Sequence, residues 1–235
     1  MNAWPASKEI LFRGWLLRLA GGSTRRTNSV NPLRSCNHDP RPIVEEVARI
    51  CAHNGQPLVF RVPTIAAGMD APLAALGFSA EGETRTLLAE LDNEDHQRSE
   101  DVEIASNPSA EWLALRSRLN GADSGADRAY ETTLRSILLP KAFVTLRGDY
   151  GIMSMAYGAI DRGYLVVESV ASIEQARNRG HARRAVGALM NWGKKAGAKA
   201  AALQVVGENA PARALYARLG FQTEIYRYHY RRAPQ

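Results

Sequence analysis

The chain has 235 residues, a hydrophobic content of 45% and a formal charge of +6. This length allows one large domain or two small ones around a core of ordinary composition. No run approaches the about 18 apolar residues needed to cross a bilayer, and charges interrupt the apolar stretch in residues 1–21. Cys36 and Cys51 have neither metal-ligand spacing nor a disulfide framework. A cytoplasmic protein with reduced thiols is therefore expected.

The hydrophobic periodicity predicts regular elements along the first half. They are strands at 14–20 and 25–30, a helix at 43–53, a strand at 57–62, a short helix at 71–76 and a strand at 84–91. The polar and charged stretch that follows has no apolar periodicity, which is typical of a linker. These features predict a first domain at 1–92, a linker at 93–100 and a second domain at 101–235.

The second half begins with two predicted helices, at 110–119 and 125–138, with Ser109 and Ser124 as their caps. The elements that follow are strands at 142–147, 152–160 and 163–172, a helix from His181, a strand at 200–206, a helix after Asn209 and a strand at 222–231. Pro211 in the first turn of the last helix and Gly220 beyond its end fit their usual positions.

The two halves share an internal repeat, in which residues 74–78 align with 217–221 and the strand at 58–62 aligns with that at 203–206. Chance similarity is the alternative. Where the second half has Arg177-x-x-Gly180-x-Ala182 and Tyr216, the first has Ser35-x-x-His38-x-Pro40 and Leu73. Pro40 lacks an amide and His38 lacks the conformational freedom of Gly, so the first half is predicted to be a scaffold without the chemistry.

The segment 177–182 joins an apolar strand to an amphipathic helix and predicts an anion site. Small residues at Gly180 and Ala182 allow a tight turn close to a ligand, and the first amides of the helix have no intrahelical partner. Together with the helix dipole and the flanking arginines, these amides suit a pyrophosphate.

This segment is followed in order by Asn209-Ala210-Pro211, Leu215-Tyr216 and Leu219-Gly220-Phe221. In that order the motifs resemble the GNAT superfamily of N-acetyltransferases over residues 111–231, and the first half resembles a truncated, degenerate copy. The resemblance implies an α/β (α+β) fold with a mixed, mostly antiparallel sheet, flanked by helices and splayed between its fourth and fifth strands. It also implies acetyl-CoA as cosubstrate in the splay, no metal, and an amine entering from the opposite side.

The resemblance implies a role for each motif residue. The pyrophosphate would be held by the backbone amides of Arg179, Gly180, His181, Ala182 and Arg183. Arg177 completes the motif, although for any arginine side chain here a solvated surface position is the alternative. Main-chain groups of Val170 and Ser172 would pair with pantetheine amides, or both residues would be ordinary strand core. Asn209 would contact the cofactor, cap the next helix, or do both.

Acetyl transfer needs an acid and a base. Tyr216 matches the family position of the general acid, because a phenol with a pKa of about 10 can protonate the departing thiolate. The alternative is a half-buried tyrosine packed on the following turn. Glu168 shares a strand face with Val166 and Val170 and would take the amine proton directly or through water. One alternative is an ion pair with an arginine of a neighbouring strand, and another is that ordered water replaces a dedicated base, as the resemblance allows.

The acceptor site is framed in this family by the two helices at 111–119 and 127–138 and by the last strand. The alternating Tyr226, Tyr228 and Tyr230 on that strand are interpreted as strand core or a dimer surface rather than a pocket. A polar-aromatic group in the first half is interpreted as facing water rather than binding a carboxylate or phosphate of the acceptor. Its members are Trp15, Arg18, Arg25, Arg26 and Asn28.

The leading hypothesis is an acetyl-CoA-dependent N-acetyltransferase acting by direct attack of a primary amine. The amine would belong to a small molecule, an amino acid derivative or a peptide N-terminus, and the protein would be a monomer or a homodimer without a membrane partner. The alternative is a non-catalytic acyl-CoA-binding or regulatory module. Nucleic-acid binding is disfavoured because Lys and Arg are dispersed and no zinc or helix-turn-helix pattern occurs.

Overall fold

A computed structural model of the protein describes residues 1–33, 39–91, 100–121 and 123–234. The first half contains β1 (Lys8–Phe12), β2 (Trp15–Leu19), β3 (Ser29–Pro32), α1 (Arg41–His53), β4 (Val59–Pro63), α2 (Asp70–Ala75) and β5 (Ser79–Glu90). The second half contains β6 (Val102–Ala105), α3 (Ala110–Leu119), α4 (Ser124–Arg135), β7 (Lys141–Gly148), β8 (Gly151–Asp161), β9 (Tyr164–Ser172), α5 (His181–Lys195), β10 (Ala200–Val206), α6 (Ala210–Ala217) and β11 (Thr223–Arg232).

All these strands form one sheet in the order β1-β2-β3-β4-β11-β5-β10-β9-β8-β7-β6. Strand β5 of the first half lies between β11 and β10, and β11 of the second half lies between β4 and β5. Each half therefore inserts its last strand next to strands of the other half, and the two halves share one continuous hydrogen-bonded sheet. The predicted linker at 93–100 lies outside the described residues apart from Glu100, and the division at this linker stays a prediction.

The sheet splays open between β9 and β10, as predicted. These parallel strands pair only from Tyr164 opposite Ala200 to Val167 opposite Leu203. Immediately afterwards Ser169 adopts a φ of 52°, and the register between β8 and β9 shifts. The end of β9 thus turns away from β10 and leaves a cleft between the two strands.

Helix α5 packs closely across the sheet because two glycines face Leu165. A Cβ at Gly193 would lie 2.8 Å from the Leu165 side chain, and one at Gly158 would lie 2.7 Å from it. Ala185, Val186 and Leu189 of α5 are fully buried in the same cluster. This packing fixes the position of the start of α5 beside the cleft.

The aligned segments of the two halves end their helices in the same way. Gly77 and Gly220 both have positive φ, at 81° and 88°. The following amide donates back to the helix in each case, from Phe78 to the Leu73 carbonyl at 3.1 Å and from Phe221 to the Tyr216 carbonyl at 3.0 Å. Equivalent C-terminal turns at the aligned positions support the predicted internal repeat.

Several predicted elements differ from the structure. The strand predicted from residue 25 begins with a 3-10 turn, Arg25–Thr27, because the Asn28 side chain bonds the Gly21 and Thr24 carbonyls. Helix α4 ends at Arg135 rather than at residue 138. Its cap is Asp123 rather than Ser124, since the Asp123 carboxylate accepts the amides of Gly125 and Ala126. The edge strands β1 and β6 were not predicted.

The first residues of the chain belong to the core of the second half. Ala3 and Trp4 are buried in a cluster with Trp112 and Tyr130. The Trp4 ring stacks on Tyr157 with centroids 5.9 Å apart, and the Tyr157 hydroxyl donates to the Ala3 carbonyl at 3.1 Å. This segment therefore anchors the first half to the second.

We expect Trp4→Ala to lower the free energy of unfolding by about 3–5 kcal/mol, because it leaves a cavity in the second-half core. Urea unfolding followed by far-UV circular dichroism measures this loss. Leu11→Ala is the control, since Leu11 is 69% exposed and its truncation should change the free energy by about 0.5 kcal/mol or less. Equal losses in both variants would contradict the anchoring role.

Candidate functional site

A cavity of about 550 Å³ opens where β9 leaves β10. Its wall along β9 and the following loops is formed by Ser169, Val170, Ala171, Ser172, Arg177 and Asn209. Helices α3 and α4 contribute Arg116, Leu119, Asn120 and Tyr130, and the first half contributes Trp4, Thr24 and Arg26. The cavity is therefore built by both halves of the chain.

Three of the predicted cofactor-binding residues in this wall, Val170, Ser172 and Asn209, have defined local roles. The Ser172 hydroxyl donates to the Ser154 hydroxyl at 2.9 Å, which holds the end of β9 against β8. Val170 packs against the core cluster beneath α5. The Asn209 side chain accepts the Ala212 amide at 3.1 Å, so Asn209 caps α6 while also facing the cavity.

The loop before α5 presents open backbone amides. Asn178 and Gly180 have φ values of 60° and 80°, and the first helical bond runs from the Arg184 amide to the Gly180 carbonyl at 3.1 Å. The amides of His181, Ala182 and Arg183 precede that bond and have no acceptor within the helix. This geometry suits an anion.

The side chains around this loop are largely solvated. Arg177, Arg179 and Arg183 are exposed, and of these only Arg177 also lines the cavity. His181 contacts the Ala176 carbonyl through Nδ1 at 3.1 Å, which fixes the ring against the loop. The corresponding first-half positions, Ser35 and His38, lie outside the described residues.

Glu168 forms a buried ion pair with an arginine from the other half. The Arg26 guanidinium donates to both carboxylate oxygens, at 2.6 and 2.8 Å, and the Glu168 side chain is 6% exposed. Arg26 also donates to Gln204 at 3.1 Å. Burial by itself would lower the pKa of Arg26, but Glu168 holds that pKa above its ordinary value. The arginine that pairs with Glu168 thus comes from the 3-10 turn before β3, and not from a neighbouring strand as the alternative had it.

Arg26 is held in place by its own surroundings. Arg18 donates to the Arg26 carbonyl at 2.7 Å and to the Trp4 carbonyl at 2.6 Å. The Arg26 guanidinium lies over the Trp4 ring at 5.2 Å. Because Arg18 is only 2% exposed and Asn28 is also buried, the interpretation that the first-half polar-aromatic group faces water is wrong.

Tyr216 is 8% exposed and packs edge-on against Phe221, with ring centroids 6.0 Å apart. Burial, reinforced by the negative charge of Glu168, raises the pKa of Tyr216 to about 12. The described residues supply no hydrogen-bond partner for its hydroxyl, and Tyr216 is not among the residues that line the cavity. The two predicted proton-transfer residues thus lie within electrostatic range of each other.

Two further residues of the wall were not singled out from the sequence. The Tyr130 hydroxyl donates to the Ser169 hydroxyl at 2.8 Å, and the Arg116 guanidinium lies over the Tyr130 ring at 3.9 Å. Both come from α3 and α4, the helices predicted to frame the acceptor. The side chains of Tyr226, Tyr228 and Tyr230 instead form a packed cluster on β11, in agreement with strand core.

The splayed sheet with open helix amides beside it defines an N-acetyltransferase of the GNAT type. Residues 1–231 match the family described as "Probable histone acetyltransferase Rv0428c C-terminal", and the chain belongs to this family. It is 25% identical over 234 residues to "Uncharacterized N-acetyltransferase YobR" of Bacillus subtilis (strain 168), covering 97% of this chain and 94% of that relative.

Two solved structures show the same fold. A GCN5-related N-acetyltransferase from Kribbella flavida superposes with a TM-score of 0.72 at 18% identity, covering 98% of this chain and 91% of that one. A tandem GNAT protein from the clavulanic acid biosynthesis pathway gives a TM-score of 0.63 at 14% identity, covering 88% and 76%. The second likeness supports the predicted tandem arrangement.

The described part of the chain contains no helix long and apolar enough to span a membrane. Within those same residues, no cluster of three or more His, Cys, Asp or Glu is placed to hold a metal ion.

The Arg26–Glu168 pair generates a stability prediction. Arg26→Gln and Glu168→Gln should each lower the free energy of unfolding by about 3–5 kcal/mol, because each leaves a buried charge without its partner. The double variant should lose clearly less than the sum, since neither charge then remains. Urea unfolding of the four proteins measures the coupling.

Arg25→Gln is the matched control for this cycle. Arg25 pairs with Glu81 at 3.2 Å inside the first half, and both side chains are about a third exposed. We expect a loss of about 1 kcal/mol or less. Strictly additive losses for Arg26 and Glu168 would show that the pair does not couple the two halves.

Proposed function

We propose that this protein transfers the acetyl group of acetyl-CoA to a primary amine by direct attack. The observation that carries the proposal is the splay of β9 away from β10 beside the open N-terminus of α5. We further propose that residues 1–92 and 101–235 are two related units, of which the second holds the donor. The first unit contributes side chains to the acceptor end of the cavity.

The residues around the splay fit the donor. The backbone amides of Arg179, Gly180, His181, Ala182 and Arg183 would hold the pyrophosphate. No atom lies within 4 Å of the position that a Cβ would take at Gly180, which leaves room for a phosphate close to the backbone. Main-chain groups of Val170 and Ser172 would bond the pantetheine amides, and Asn209 and Arg177 would contact the donor from the facing wall.

Bound acetyl-CoA supplies an activated thioester. The acceptor ammonium first loses one proton, and its nitrogen forms the amide C–N bond as the thioester C–S bond breaks. The nitrogen then releases a second proton to solvent, and the departing thiolate takes up one proton to leave as CoA. We propose that Glu168 takes the amine proton through water, because Glu168 does not line the cavity and both its carboxylate oxygens already accept bonds from Arg26. Water would thus bridge the buried carboxylate and the amine.

Tyr216 would act on the leaving sulfur. Its pKa of about 12 keeps the phenol protonated at neutral pH, which is the state that a hydrogen-bond donor needs. A thiol has a pKa of about 8.5, so full transfer of the phenol proton to the sulfur is uphill. Tyr216 therefore fits best as a donor that stabilises the developing thiolate, with the thiol proton finally supplied by solvent.

We expect Tyr216→Phe to lower kcat about 100-fold while the Kd for CoA changes by less than about 2-fold, because only the reacting sulfur loses a partner. Release of free thiol from acetyl-CoA with a panel of amines measures kcat, and calorimetry measures Kd. The wild-type rate should not decline between about pH 7 and pH 10 through this group, since its pKa is about 12.

Two outcomes would contradict this assignment. If CoA affinity collapsed together with turnover in Tyr216→Phe, the residue would be structural. If the wild-type protein bound CoA tightly but released none with any amine, the chain would be a binding module rather than an enzyme.

Gly180→Ala should weaken CoA binding about 10-fold, because an L side chain at positive φ costs about 1–2 kcal/mol and reshapes the loop. Gly197→Ala is the matched control at the other end of α5. It has a φ of 90° against 80° at Gly180, and neither site has atoms within 4 Å of the added Cβ. Both variants should lose similar stability, but Gly197→Ala should keep its CoA affinity. Equal affinities of the two variants for CoA would show that the loop before α5 does not bind the donor.

A further inference from the structure

We propose that the acceptor carries an anionic oxygen group, a carboxylate or a phosphate, in addition to its amine, and that Arg116 and Arg26 bind this group. The inference rests on the proposed function and names the substrate class of the same site.

The charge of the cavity wall is the first support. Of the described residues that line the cavity, those with charged side chains are Arg26, Arg116 and Arg177, and no carboxylate is among them. Arg177 belongs to the loop before α5, on the donor side. The two remaining guanidiniums therefore face the space left for the acceptor.

Both guanidiniums flank one aromatic pair. Arg26 lies over Trp4 at 5.2 Å and Arg116 lies over Tyr130 at 3.9 Å. The Trp4 and Tyr130 ring centroids are 5.4 Å apart. The Tyr130 hydroxyl donates to Ser169, the residue at which β9 begins to leave β10. The cationic wall is thus continuous with the splay.

The carboxylates that pair with these arginines lie behind them. Neither Glu168 nor Asp127 lines the cavity. Arg116 donates to Asp127 through Nη1 at 3.1 Å, and Asp127 is also bonded by the Ser117 hydroxyl. A guanidinium has five N–H donors, and bonds to the described residues use one of those of Arg116. The Asp127 contact orients Arg116, and the other donors remain for a bidentate oxyanion.

The cavity size and charge also discriminate between acceptors. A volume of about 550 Å³ lies in the range of small-molecule pockets. A lysine-rich peptide would bring further positive charge next to two arginines, which is unfavourable. The family takes its description from a probable histone acetyltransferase. The arginines in the wall of this cavity nevertheless favour a small amino acid-like amine as the acceptor.

The test is a steady-state comparison of matched acceptors. The panel contains the common amino acids with their amides, aminoalkyl phosphates with the parent amino alcohols, and a lysine-rich peptide. We expect kcat/KM to be at least about 10-fold higher for the best anionic amine than for its neutral analogue. Comparison of the amino acids with the aminoalkyl phosphates shows whether the anionic group of the acceptor is a carboxylate or a phosphate.

Arg116→Gln should raise KM for the anionic acceptor about 10- to 100-fold, whereas KM for its neutral analogue should change far less. Arg118→Gln, an exposed position on the same helix, removes the same charge outside the cavity and should change neither constant. A double variant with Arg26 is avoided because that residue also supports the fold.

The inference is overturned if neutral amines or the lysine-rich peptide are acetylated as well as the anionic amines. It is also overturned if Arg116→Gln affects anionic and neutral acceptors equally. In both cases turnover remains, so the proposed function stands. Absence of CoA release with every amine would overturn the proposed function and this inference together.

Discussion

The backbone pairing of β5 is the constraint on which the rest of the structure depends. Strand β10 pairs with β5 along its whole length, from Ala200 opposite Glu90 to Val206 opposite Thr84. The hydrogen bonds to β5 hold β10 in the sheet along its whole length. The other edge of β10 can therefore separate from β9 after only a few paired residues. A strand from the first half thereby permits the cleft in the second.

The same strand exchange explains how a charged contact can cross between the halves. The docked first half brings Arg26 to Glu168, where the pair is buried and connected through Gln204 to the Tyr228 hydroxyl. Burying two ions is costly, and the attraction between them offsets that cost only in good geometry. We infer that the contact serves the specificity of docking more than net stability, since misplacing either half would leave a buried charge unpaired.

Local pattern predicted the second half well, because its strands and α5 have strong apolar periodicity and its caps and turns use Asn209, Pro211 and Gly220 at their usual positions. Strands β1 and β6 were missed because they are largely exposed and show little alternation. The sequence predicted only those parts of the site whose residues lie close together along the chain. Arg26 and Glu168 are separated by 142 positions, so no sequence periodicity could indicate that they meet.

The repeat offers an internal comparison for Tyr216. Its counterpart Leu73 is fully buried, and the helix carrying each residue ends in the same turn. The position therefore needs only an apolar side chain to support the fold. The described residues do not bond the hydroxyl that a tyrosine adds at this position. Packing therefore does not require the phenol of Tyr216, and this is consistent with the role proposed for it at the leaving sulfur.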